Sequence, residues 1–239
     1  MGVTIQWLGH ACFAIRRGDY TLVIDPYNSD YINGYPKLRV KADKVLVSHE
    51  HFGHNYREGV ALSGRPESDC PFEITKLRAP HDFKMGNWRG FTDIHILKVD
   101  GLKIVHLGDL GTQLDGGQIT QLYGADAAMV CAGSCTALPS QEAKRAMDEI
   151  LATVIIPMHY RHDGRGAHRL ESVEDFANHF ESPEMIHYYD TDTIKIVPEM
   201  EPQVAVLKYL GPAGYRDLIP TEERRERKPG LFSRLFQKK

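Results

Sequence analysis

The chain has 239 residues, 42% hydrophobic and 26% charged, which suits one large domain with a real core and excludes a disordered or low-complexity chain. No apolar run reaches the ~18–20 residues of a membrane span, and the start MGVTIQWLGHACFAI lacks the basic and apolar regions of a signal peptide, so a cytoplasmic location is expected. The formal net charge is −3, and the excess of basic residues from Glu222 to Lys239 leaves the body before it acidic, which argues against a broad nucleic-acid surface.

In chain order, the first hundred residues read as β structure. VTIQWL, CFAIR, TLVID and KVLVS are short runs of branched and aromatic residues broken by glycine and charged turns. EITKLRA follows, and then DIHILKV and LKIVHLG flank Asp100-Gly101, a two-residue hairpin signal that tolerates positive φ. Residues 26–42 and 80–92 read as loops rich in Pro, Gly, Asn and aromatics. Helices come later. Ser140 is placed to cap a helix whose buried face is Ala143, Ala146, Met147, Ile150 and Leu151, at the spacing of a 3.6-residue period. ATVII is a strand expected to stop at Pro157. Ser172 is placed to cap a second helix with Val173, Phe176, Ala177 and Phe180 on one face, and strands are expected at Thr193–Val197 and Val204–Tyr209. Strands first, then alternating β and α, predict two packed sheets with helices outside, an α/β layered sandwich. The domain is expected to span 1–221 and the basic tail 222–239. In that tail Leu231, Phe232, Leu235 and Phe236 would form an apolar stripe if helical.

The four cysteines are too few for a disulfide scaffold of this size, and Cys131 and Cys135 in CAGSC read as a tight turn of small residues after a buried strand. The 12 histidines are the unusual feature. Three of them fall in Ser48-His49-Glu50-His51-Phe52-Gly53-His54, directly after the strand KVLV. A strand-to-loop corner frees nearby side chains to converge, and imidazole is a ligand for zinc, iron, nickel or copper. His81, Asp109 and His159 each sit where a strand stops, and together they fill out a two-metal ligand set. His106 alternates away from Asp109 and reads as structural. Asp82 and Asp25 are candidates to orient a ligand imidazole, a role such rings need filled. His10, in the turn after the first strand, either approaches the site or packs at the surface. The polar stretch after His159, with Tyr160, Arg161 and Arg165, is placed to rim a pocket and bind an anion. Trp88, Arg89, Tyr27, Tyr31 and Tyr35 are candidates for the other walls.

Taken in order, WLGHACFAI, LVIDPY, SHEHFGHN, APHD, IVHLGDLG and VIIPMHY resemble the metallo-β-lactamase superfamily, in particular its small metal-dependent hydrolases that include ascorbate-phosphate lactonase. The resemblance runs from about Val3 to Val197 and implies a metallo-β-lactamase-like αββα sandwich of two mixed sheets flanked by helices. It also implies that His49, His51 and His81 hold a first metal, that His54 and His159 hold a second, and that Asp109 bridges them, with Asp109 and His54 in the catalytic centre. The implied activity is hydrolysis of an ester, lactone or phosphodiester bond of a small, anionic molecule by a metal-activated water. Zn²⁺ is the expected ion, with Mn²⁺ or Fe²⁺ as others the ligands suit. No nucleic-acid partner and no membrane span are expected, and a homo-oligomer is compatible with the sequence. One position departs from the signature. Gly53 stands where the family has an Asp ligand of the second metal. Either that site simply lacks a carboxylate, or the corner needs glycine because φ is positive there. The departure keeps open an iron-dependent redox protein on the same fold, and a non-catalytic metal-binding or regulatory module.

Overall fold

The computed structural model describes residues 2–134 and 136–211; the boundary at 221, the basic tail and Cys135 lie outside them. The strands are β1 (Val3–Gly9), β2 (Cys12–Arg17), β3 (Tyr20–Ile24), β4 (Val40–Ala42), β5 (Lys44–Leu46), β6 (Val60–Leu62), β7 (Glu73–Pro80), β8 (Phe91–Val99), β9 (Leu102–His106), β10 (Ala127–Cys131), β11 (Val154–Met158), β12 (Ile186–Tyr188), β13 (Thr193–Ile196) and β14 (Gln203–Val206). The helices are α1 (Gly116–Leu122), α2 (Ser140–Ile150) and α3 (Val173–Ala177).

Two mixed sheets form the body. One has the order β13-β1-β2-β3-β5, with β5 parallel to β3 and the other pairs antiparallel. The other has the order β12-β14-β11-β10-β9-β8-β7, antiparallel from β7 to β9 and parallel beyond. The β8–β9 hairpin turns at Asp100 (φ 51°) and Gly101 (φ 81°), as the Asp-Gly signal predicts.

Alternation along the first three strands explains the layering. Ile5, Trp7, Phe13, Ile15, Leu22 and Ile24 enter the main core with Ile94, Ile96 and Ile104 of the second sheet. Each such side chain contributes about 1.5–3 kcal/mol when fully buried. The opposite faces of the same strands, Leu8, Ala14 and Val23, enter a second core with Tyr27, Tyr35, Leu38 and Val40. The two outer layers therefore differ. Helices pack on the seven-stranded sheet, with Ala143, Ala146, Met147 and Ile150 of α2 buried. The loop after β3 and the small β4–β6 sheet cover the five-stranded one, because residues 26–42 carry no helical period.

Several local expectations change, and Leu151, expected on the buried face of α2, instead follows its last turn at φ 48° and is exposed. Ser140 is the first residue of α2 and does not cap it; its hydroxyl meets His179 Nε2 at 2.9 Å, and Pro139 occupies the cap position. Pro157 stays inside β11, opposite Val130 of β10. The short α1 went unpredicted; it starts with a capping box between Asp115 and Gln118. Ser172 caps α3 as expected, but the helix ends at Ala177.

Candidate metal centre

The sheets bring strand ends to one edge. Asp25 follows β3, the segment from Ser48 to His54 follows β5, His81 follows β7, Asp109 follows β9 and His159 follows β11. Gly111 makes the close approach of two of these loops possible. A Cβ there would lie 2.3 Å from the His81 carbonyl carbon and 2.2 Å from Asp82 N, so only glycine lets His81 lie this close to the chain after Asp109.

Four imidazole nitrogens converge on one carboxylate oxygen. Asp109 Oδ2 is 3.4 Å from Nε2 of His54, 3.4 Å from His81, 3.7 Å from His159 and 3.9 Å from His49. His51 Nδ1 lies 3.2 Å from His81 Nε2, and ring nitrogens of His49, His51 and His81 all fall within 4.8 Å of one another. The six residues expected as a ligand set are thus gathered around Asp109. The buried Cys131 thiol shares its one proton between the other Asp109 oxygen, Oδ1, at 3.3 Å and Gly108 O at 3.2 Å. Burial and the neighbouring Asp109 charge push the Cys131 pKa up, so it stays a thiol donor. Sequence reasoning gave Cys131 no such role.

A hydrogen-bond chain behind the site sets two tautomers. Asp25 is fully buried and accepts from Ser48 N at 2.6 Å and Ser48 Oγ at 2.6 Å, and it meets His54 Nδ1 at 2.8 Å. Ser48 has one hydroxyl proton and gives it to Asp25. Its oxygen must therefore accept from His49 Nδ1, 2.9 Å away. Both rings therefore carry a proton on Nδ1, and Nε2 of each is the atom that faces Asp109. Asp25 is thereby the orienting carboxylate. Asp82 is not. It accepts from the backbone N–H of Lys84, Gly86, Trp88 and Arg89, and so shapes its own loop. His106 is structural as expected, bonding Ala11 O at 3.0 Å and accepting from Gly108 N.

These residues fit a cation. His49 Nε2, which faces Asp109, is buried without a partner, which is costly for a polar atom unless something binds it. Burial drives His49 down to about 3 and lowers His51 and His159, so these rings are neutral and can donate lone pairs. Asp109 stays ionised despite burial because the surrounding imidazoles, His54 first, favour its charge. Burial alone would lower His54, yet Asp109 and Asp25 raise it to about 10, so without a cation its Nε2 also carries a proton towards Asp109, in the place a metal would take. Positive charge is favoured at this centre. A donor set of imidazoles and carboxylate without thiolate suits zinc, manganese or iron.

A cavity of about 360 Å³ opens onto the centre, within the size range of small-molecule sites. Tyr31, Ile32, Asn33, Phe52, Arg89, Thr136 and Leu170 line it together with His10, His51, His54, Asp109 and His159. Tyr31 and Phe52 are stacked, ring centroids 4.0 Å apart. The expected rim residues lie elsewhere. His159 adopts φ 55° and turns the chain away, so Tyr160 is buried against the Trp7 ring at 5.4 Å. Arg161 Nε donates to Leu170 O, and the Arg165 guanidinium lies over the Tyr209 ring at 4.9 Å. Trp88 is 70% exposed and packs edge-on against Phe83. None of the four lines the cavity; the arginine that does is Arg89.

The β-lactamase superfamily domain family matches residues 4–159, which contain every residue of the centre. The chain belongs to that family. A UPF0173 metal-dependent hydrolase from Methanoculleus marisnigri is 28% identical over 188 residues, covering 65% of this chain and 80% of the relative. One from Pyrobaculum islandicum is 28% identical over 191 residues, with 65% and 83% covered. A solved structure from Thermotoga maritima, described as a Zn-dependent hydrolase of the metallo-β-lactamase superfamily, matches with a TM-score of 0.66 at 28% identity, covering 86% of this chain and 98% of that one. The fold is the metallo-β-lactamase fold, and the chain is a metal-dependent hydrolase of that superfamily. No helix among the described residues is long and apolar enough to cross a membrane.

Proposed function

We propose that this metallo-β-lactamase-family chain hydrolyses an ester, lactone or phosphodiester bond of a small anionic molecule. In this reading His49, His51 and His81 would hold a first ion and His54 and His159 a second, with Asp109 shared between them. The carrying observation is the convergence of four Nε2 atoms on Asp109 Oδ2. Zn²⁺ is the expected ion, with Mn²⁺ or Fe²⁺ also suited to the donors. A divalent ion bound there supplies water with a pKa near ~7 and polarises the electrophilic oxygen.

The chain's own residues do the rest. Ser48 and Asp25 hold His49 and His54 with their lone pairs inward. The Cys131 thiol beside Asp109 Oδ1 keeps the carboxylate turned with Oδ2 towards the imidazoles. Arg89 offers the cavity a cation for the anionic group, while Ile32, Leu170 and the Tyr31–Phe52 stack give it an apolar wall. An anionic head beside a less polar body therefore suits the site, as in a lactone or ester bearing a carboxylate or phosphate.

The test starts from chelator-treated protein reloaded with Zn²⁺, Mn²⁺ or Fe²⁺ and offered ester, lactone and phosphodiester reporters. Hydrolysis of at least one reporter should require the ion and vanish in Asp109→Asn. Equal rates with and without metal, or no hydrolysis of any reporter by loaded protein, would overturn the reading.

A further inference from the structure

His10, in the turn after β1, is not among the expected ligands, yet it faces the same cavity. It is 4% exposed, its ring centroid is 4.0 Å from that of His159 and 5.2 Å from that of His54, and ring nitrogens of the three lie within 4.8 Å of one another. Its backbone is held in place. β1 carries an irregularity between Trp7 and Gly9, and bulges of this kind re-aim side chains beside functional sites. The His10 carbonyl accepts from Trp7 Nε1 at 2.9 Å and from His159 N at 3.2 Å, and the next carbonyl accepts from His106. These bonds keep His10 at φ 54°, a left-handed conformation that costs a non-glycine residue energy and persists where surrounding contacts enforce it.

Gly53 is coupled to this ring. Its φ is not positive, so the corner does not need glycine for backbone reasons. The constraint is steric: a Cβ at position 53 would lie 2.8 Å from His10 Nε2 and 3.3 Å from Ile32 Cδ1. The aspartate that the family signature carries at this position and the imidazole of His10 compete for one volume. We propose that His10 completes the second metal site, beside His54, His159 and the shared Asp109, and that Gly53 is the opening that admits it. An imidazole thus replaces a carboxylate, and the second site becomes richer in nitrogen and carries one negative charge fewer. This inference rests on the reading of the centre as a metal site.

The test is metal stoichiometry and affinity, read by equilibrium dialysis of Zn²⁺ against metal-free protein with elemental analysis. His10→Gly removes the ring and accepts the left-handed backbone without strain. Wild type is expected to bind two ions per chain and His10→Gly to keep one. Changes behind a ligand alone cost about 10–100-fold in affinity, so losing a direct ligand is expected to exceed roughly 100-fold for the second ion. Gly53→Ala removes no donor atom, yet it should weaken the same ion by displacing His10. The double variant His10→Gly/Gly53→Asp should recover two ions, since the carboxylate then has its space. Thermal melting confirms that each variant is folded, and an unfolded His10→Gly leaves the Gly53→Ala result to decide. A second ion bound with unchanged affinity in His10→Gly or in Gly53→Ala would overturn the proposal, as would wild type holding one ion. Wild type holding no ion would instead overturn the metal-centre reading itself.

Discussion

Asp25→Asn is a sharp perturbation because it is nearly isosteric and its consequences follow from proton counting. Asp25 Oδ1 faces Ser48 N–H, a pure donor, so the carbonyl oxygen of the substituted amide must take that side. The amide NH₂ then sits where Oδ2 met Ser48 Oγ at 2.6 Å and His54 Nδ1 at 2.8 Å. It can satisfy both, but only by donating. Ser48 turns its proton towards His49 Nδ1, 2.9 Å away, and His54 Nδ1 becomes an acceptor. Both rings move their proton to Nε2, which points N–H groups at Asp109 in place of lone pairs. Loss of such supporting bonds costs about 10–100-fold in metal affinity per ring, or about 1.4–2.8 kcal/mol each. In the proposed arrangement one of these rings serves each ion, so both affinities should fall. Competition with a chromophoric chelator measures this, with circular dichroism to confirm the fold. Unchanged affinity for both ions in folded Asp25→Asn would refute the tautomer argument.

Other substitutions separate the parts of the site. His49→Ala or His51→Ala should lose most bound metal by elemental analysis while still unfolding cooperatively, because the core between the sheets does not include them. Arg89→Ala should raise KM for an anionic substrate by roughly 10-fold or more, from the loss of about 1.5–3 kcal/mol for one charge-assisted contact, and leave KM for a neutral ester nearly unchanged. Arg161→Ala should affect both substrates little, since Arg161 does not line the cavity and its guanidinium is held on Leu170 O. Gly101→Ala places a Cβ at φ 81° in the β8–β9 hairpin; a cost of about 1–2 kcal/mol should lower Tm by several degrees without altering metal content.

The convergence of the histidine corner was legible in the sequence because its members are local. Three of them share seven residues, and His81, Asp109 and His159 each end a strand whose alternation is plain. The relations between loops were less legible. Asp25 and Asp82 look alike in sequence, each beside a strand end, and only the fold brings one to Ser48 and His54 while the other turns back on its own loop. Proximity to His159 made the arginine stretch look like a rim. The positive φ of His159 reverses the chain there, and Arg89, from another loop, lines the cavity instead. Gly53 carried a signal that something had changed. Its steric partner lies 43 positions earlier in the chain, and no spacing rule connects them.

Anomalous diffraction from crystals of the chain grown with Zn²⁺, recorded above and below the zinc edge, tests the metal centre most directly. The account predicts zinc density beside Asp109 Oδ2, one peak among His49, His51 and His81 and one among His54, His159 and His10. Zinc found solely at surface histidines, with the space around Asp109 free of anomalous signal, would contradict it.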